Sequence, residues 1–165
     1  MSLNNIQLSS VILHELFENS LVQSANSIES RRDVSSSSLG ILGNNRRNIC
    51  VIVESEELYI DDGELNFLLG VLSACRLTMD DVAILNLKNN PGATYKTITL
   101  ELMPENFFLF GALPSQIALP LDFPNYQIQR YNGQTYVSAP TLLKLQRDKI
   151  EKAKLWNCLK EIFSI

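Results

Sequence analysis

Few side chains in this sequence are equipped for chemistry, and their spacing limits what they can do. His14 is the single histidine among 165 residues. Acyl-transfer systems that activate a serine or cysteine need an imidazole beside the nucleophile, and His14 stands in a segment ahead of the first cysteine, Cys50. A zinc centre lacks ligands for the same reason. Asp61-Asp62 and Asp80-Asp81 are adjacent carboxylate pairs that in principle supply magnesium ligands. Both pairs also stand where helices should begin, and helix capping is the reading adopted. The run Glu54-Ser55-Glu56-Glu57 occupies the place of a phosphate cradle, but it carries three carboxylates where glycines and bare amides are needed. Phe110-Gly111 ahead of Pro114-Ser115 has the outline of a nucleotide-handling loop, although a glycine after an apolar run is commonplace. Cys50, Cys75 and Cys158 are odd in number, far apart and set among apolar neighbours, so they read as buried free thiols. This inventory leads us to expect no catalytic residue, no metal and no cofactor.

The elements that must position these groups start with the stretch 48–87. Ile49–Val53 is an unbroken apolar run rich in β-branched residues, as expected of a strand covered on both faces. Asp61 and Asp62 offer an N-cap for a helix carrying Leu65, Leu68, Leu69 and Leu72, with Glu64 favourable in its first turn. Val82–Leu85 is a second buried run, which completes a parallel βαβ unit with a right-handed crossover. After the loop 88–92, Tyr95, Ile98, Thr99 and Leu102 fit a helical face. Phe107–Phe110 forms a third buried strand that Gly111 ends. Pro114, Pro120 and Pro124 mark an irregular connection. Segments 126–131 and 135–137 flank Asn132-Gly133, a two-residue hairpin turn that would add antiparallel strands to one sheet edge. Pro140 can open a short turn, and Asp148 with Glu151 resembles a capping box for a last helix reaching about Phe163. Leu155, Trp156, Leu159, Ile162 and Phe163 share one face of that helix. Trp156 reads as core, with an exposed anchor as the alternative. The expected fold is therefore α/β, a single three-layer domain over residues 48–165. Its central sheet is mostly parallel, with an antiparallel hairpin at one edge.

Ahead of this domain, residues 1–23 read as an amphipathic helix. Leu8, Ile12 and Leu16 repeat at four-residue intervals, as do Leu13, Phe17 and Leu21. Residues 24–47 read as a linker, with seven serines in the fifteen positions 24–38 and the basic pairs Arg31-Arg32 and Arg46-Arg47. A helix on such a tether either packs back on its domain or docks on another protein, and the tether's length favours docking. The net charge of −4 hides a polarity. Residues 49–125 hold eleven acids against three bases, whereas residues 141–165 hold six bases against three acids. An acidic chain of this kind is not a dedicated non-specific DNA binder. With no long apolar run and no basic-then-apolar start, the expectation is a cytoplasmic protein that does not enter a membrane.

Two stretches carry a resemblance. Ile49–Val53, the leucine-rich helix and Leu77-Thr78-x-x-Asp81-Val82 form one. Ser138-Ala139-Pro140-Thr141-Leu142 followed by Lys154-Leu155-Trp156-Asn157-Cys158-Leu159 forms the other. Together they resemble the psi subunit of the bacterial DNA polymerase III holoenzyme, a clamp-loader accessory protein, over roughly residues 45–163. The resemblance rests on the order of elements, and its most specific part is the terminal tryptophan motif. It implies a topology related to uracil-DNA glycosylases without their catalytic residues. It also implies binding to the clamp loader through the N-terminal segment, and to a chi subunit, itself bound to single-strand-binding protein, through the folded body. Contact with nucleic acid would then be indirect. Where psi has a short basic peptide, this chain has the apolar segment and its serine-rich tether.

The expected function is thus a non-enzymatic adaptor of the replication machinery. Leu8, Ile12, Leu16, Phe17 and Trp156 are its candidate partner-binding residues. Two alternatives stay open. One is an enzyme of nucleotide or damaged-base metabolism, with its site near Glu54, Leu87-Lys88 and Gly111 at the carboxyl ends of the strands. The other is a homodimeric structural protein joined through the hairpin edge.

Overall fold

The structure, a computed structural model, describes residues 38–165. Among the described residues, six strands and four α-helices follow in chain order: β1 (Ile41–Leu42), β2 (Ile49–Val53), α1 (Asp62–Ala74), β3 (Val82–Asn86), α2 (Tyr95–Leu102), β4 (Asn106–Phe110), β5 (Gln129–Tyr131), β6 (Gln134–Ala139), α3 (Leu142–Arg147) and α4 (Lys149–Phe163). The strands form one mixed sheet in the order β1-β3-β2-β4-β6-β5. β3, β2, β4 and β6 run parallel, and β1 and β5 close the two edges antiparallel.

Side-chain alternation along β2 explains why its sequence is apolar throughout. Ile49, Val51 and Val53 face α1, α3 and α4, where Leu68, Leu72, Leu142, Leu145, Leu155 and Leu159 are buried against them. Cys50 and Ile52 face α2 and the connection after β4, meeting Ile98, Leu102, Ile117 and Phe123. The sheet is therefore covered on both faces, as buried parallel strands require. In the β4–β6 register Phe107 is paired with Tyr136, and their rings stack at a centroid distance of 4.6 Å.

Capping fixes where the helices begin. The Asp61 carboxylate accepts from the backbone N–H groups of Gly63 and Glu64, at 2.9 and 3.3 Å. Thr94 and Thr97 cap α2 reciprocally. Thr141, one residue after Pro140, caps α3 through Lys144 N–H, so the proline precedes the cap and does not open the helix. Asp148 caps α4 through the N–H groups of Ile150 and Glu151. Asp81 works as an acceptor for the Thr78 N–H and hydroxyl, at 2.8 and 3.0 Å. Those contacts hold its carboxyl below the usual range, through the Thr78 backbone N–H first, then the Thr78 hydroxyl and the nearby arginines.

Two expectations need correction. The linker read over 24–47 ends before its last nine residues. Ile41 and Leu42 pair with Leu85 and Ile84, and the backbone N–H groups of Asn45, Arg46 and Arg47 donate to the carbonyls of Val82, Asp80 and Asp81. Gly43, at φ +106°, lies so close to the Val82 carbonyl that a Cβ would stand 2.2 Å from it. Arg46 and Arg47 extend toward Asp80 and Asp81 at 3.7 and 3.9 Å, which gives that basic pair a structural role. The hairpin likewise contributes only one antiparallel strand to the edge. Asn132 and Gly133 both take positive φ, as the tight turn demands, but β6 lies inside the sheet, parallel to β4. The expected N-terminal helix over 1–23 lies outside the described residues.

Candidate functional site

β2 and β4 are neighbours in the sheet; the connection leaving β2 passes through α1 on one face to β3, and the connection leaving β4 runs over the other face toward β6. The carboxyl ends of β2 and β4 therefore form a topological switch point, where α/β sheets commonly bind ligands. The polar groups gathered there hold one another. Asn86, fully buried at the end of β3, accepts from Ser55 N–H at 3.1 Å and Lys88 N–H at 3.2 Å through Oδ1. Its Nδ2 donates to the Ser55 and Glu57 carbonyls at 2.8 and 2.7 Å. Lys88 pairs with Glu56, and Glu54 accepts from the Gln116 amide at 3.2 Å. Gly111, at φ +72°, packs so tightly on the start of α3 that a Cβ would stand 2.6 Å from Thr141 Cγ2. Glu54, Lys88 and Gly111 thus converge as foreseen, in the service of loop structure.

The thiols are buried as expected. Burial alone pushes Cys50 up to about 12, so it stays protonated at neutral pH. Among the described residues, no group of three or more His, Cys, Asp or Glu side chains is arranged to hold a metal ion. None of the described helices is long and apolar enough to cross a membrane.

The surface that stands out is apolar. α1 and α4 lie side by side on one face of the sheet and leave a groove of about 350 Å³ between them. Phe67, Gly70, Val71 and Ala74 line it from α1, and Trp156 and Leu159 line it from α4. Their spacing follows the helical repeat on each element. Leu68 and Leu72 of α1, with Leu155 and Leu159 of α4, anchor the two helices in the core. That leaves the next residues round each helix to form the walls. Trp156 is half-buried there, packed against the core from its edge. Lys152 closes one rim, its ammonium 5.3 Å from the Phe67 ring centroid.

A hollow of about 560 Å³ over the α3–α4 corner is larger but open and shallow, with Lys144, Arg147 and Lys149 around exposed Leu143 and Ile150. On the other flank of α4, Glu151 receives hydrogen bonds from the Tyr126 hydroxyl and from Lys154. Lys154 first and Tyr126 second keep the Glu151 carboxyl below its ordinary range, while burial, then Glu151, raises Tyr126.

Of the candidate partner-binding residues, the structure places Trp156 in the groove wall, between the core and anchor readings. Leu8, Ile12, Leu16 and Phe17 lie outside the described residues. Sequence reasoning passed over Phe67, Gly70 and Ala74. The available signal was Gly70 itself, a glycine in the middle of a helix that nothing in the local pattern requires. Asn86 was also missed, hidden at the end of an apolar run. No protein-family model matches the chain, and no curated protein matches it.

Proposed function

We propose that this chain is a non-enzymatic protein–protein adaptor of the replicative clamp loader, acting in the manner of the psi subunit that its sequence resembles. The observation that carries this reading is the α1–α4 groove, with the single tryptophan half-buried in its wall. Aromatic anchors at the edge of an apolar depression are the usual centre of binding energy in protein interfaces. The polar groups at the strand ends are engaged in loop contacts, which fits a fold used as a scaffold. In this proposal the apolar segment with Leu8, Ile12, Leu16 and Phe17 is a second docking element, so that one chain tethers two partners. Those partners are clamp-loader subunits and a chi-like subunit.

The test is direct binding of purified clamp-loader subunits to the immobilised full-length chain. Capture that is lost with Trp156→Ala, at an unchanged far-UV spectrum, supports the assignment. If the purified clamp loader does not bind at all, the proposal is wrong.

A further inference from the structure

The α1–α4 groove also has a charge signature, from which the chemistry of its occupant follows; the inference rests on the adaptor reading. We propose that the groove receives an acidic amphipathic helix of a partner protein, its apolar stripe on Trp156 and Gly70 and its carboxylates along the α4 rim. The lining on α1 runs from Asn66 to Ala74, about 12 Å at the helical rise, which matches two to three turns of an incoming helix.

Gly70 sets the depth of the groove. A Cβ there would meet nothing within 4 Å, so neither a neighbour nor a turn demands glycine. After proline, glycine is the least favourable residue for a helix interior. Its use at this point leaves room for another backbone to come close.

The rim sets the charge. On α4, Lys149, Lys152, Trp156 and Lys160 succeed one another at three- and four-residue intervals and share one flank. The two acids of α4, Glu151 and Glu161, fall outside that series, and Glu151 is turned to Tyr126. The lining residues of α1 carry no charge. An occupant with glutamates or aspartates beside its apolar stripe meets Lys152 at the groove and Lys149 and Lys160 further along the same flank of α4, while on α1 Asp62 stands one turn before Asn66, at the end of the lining.

Trp156 is the only tryptophan of the chain, so the emission of the full-length protein reports on the groove. The probe is a synthetic peptide of about 15 residues, with leucines at helical spacing and glutamates on both flanks. A twin peptide carries lysine at every glutamate. The acidic peptide should shift the Trp156 emission saturably, and the lysine twin should bind at least about tenfold more weakly. The shift should vanish with Gly70→Arg, which fills open space and should melt no lower than the parent, arginine being the better helix former. It should weaken with Lys152→Glu and with added salt.

The inference is overturned if neither peptide binds, if both bind equally, or if binding survives Gly70→Arg. Emission that changes with protein concentration alone would assign the groove to a second copy. Emission that changes on deleting residues 1–37 would assign it to the chain's own amino-terminal segment. Either result would overturn it too. Clamp-loader binding measured on the same variants separates the two ideas. If that binding needs an open Gly70 while the acidic peptide fails, only the acidic-helix inference falls.

Discussion

Replacing Asn86 by alanine tests whether one buried amide holds the loop after β2. Asn86 uses its full hydrogen-bonding capacity, two donors and two accepted bonds, on Ser55, Glu57 and Lys88. Asn86→Ala deletes all four bonds, each worth about 1 kcal/mol net. Ser55 is itself buried, so its N–H and carbonyl lose their partners away from water, at about 1–3 kcal/mol each. The contacts at Glu57 and Lys88 are partly exposed, and water can replace them at little cost. The two Ser55 terms together make a loss of about 2–6 kcal/mol, a large share of the roughly 5–15 kcal/mol that holds a domain together. Urea denaturation followed by circular dichroism should show the midpoint falling by that loss divided by the m-value, at constant slope. Asn86→Asp, which turns two donors into acceptors aimed at carbonyls, should lose at least as much at neutral pH. A loss below about 1 kcal/mol for Asn86→Ala would refute the reasoning, because the loop would then be held by something else.

Gly70→Ala should stabilise the protein by about 0.5–1 kcal/mol, since the new methyl meets only open space; a thermal melt reads this directly. Gly111→Ala should do the opposite, costing more than about 1 kcal/mol, because it joins a positive φ to a 2.6 Å approach to Thr141 Cγ2. Asp81 and Glu151 both have folded-state pKa values below their ordinary ones. Their contribution is therefore present above about pH 4.5 and lost as pH falls through the depressed values. Denaturation midpoints measured between pH 6 and pH 2.5 should fall at the acid end, and Glu151→Gln should flatten part of that decline.

The central strands and the caps of α1 and α4 were legible in the sequence because each rests on local chemistry; the threonine caps of α2 and α3 were not named, and Asp81 serves a turn at Thr78 and caps no α-helix. A five-residue apolar run rich in β-branched residues suits a strand buried on both faces, and Asp61 and Asp148 stand directly before apolar helical periodicity. β1 was not legible. Its two residues sit between glycines after a serine-rich stretch, and only the non-local bonds to β3 make it a strand. The placement of β6 was hidden for a related reason: Asn132-Gly133 fixes the hairpin, but the partner of β6 on its other side is set by how the chain crosses the sheet. At the switch point, the sequence named Glu54, Lys88 and Gly111 without showing that Asn86, Gln116 and Thr141 engage their surroundings. The groove was half visible, through Trp156. Its other wall required knowing that α1 and α4 run side by side, which no periodicity within either helix reveals.

The measurement that bears most directly on the adaptor account is the affinity of purified clamp-loader subunits for the full-length chain and for its Gly70→Arg variant, by surface plasmon resonance. The variant should melt no lower than the parent, since position 70 faces open space and arginine is the better helix former. The account predicts specific binding by the parent chain and a loss of at least about tenfold in the variant, mainly through faster dissociation. Equal affinity of the two proteins would contradict it.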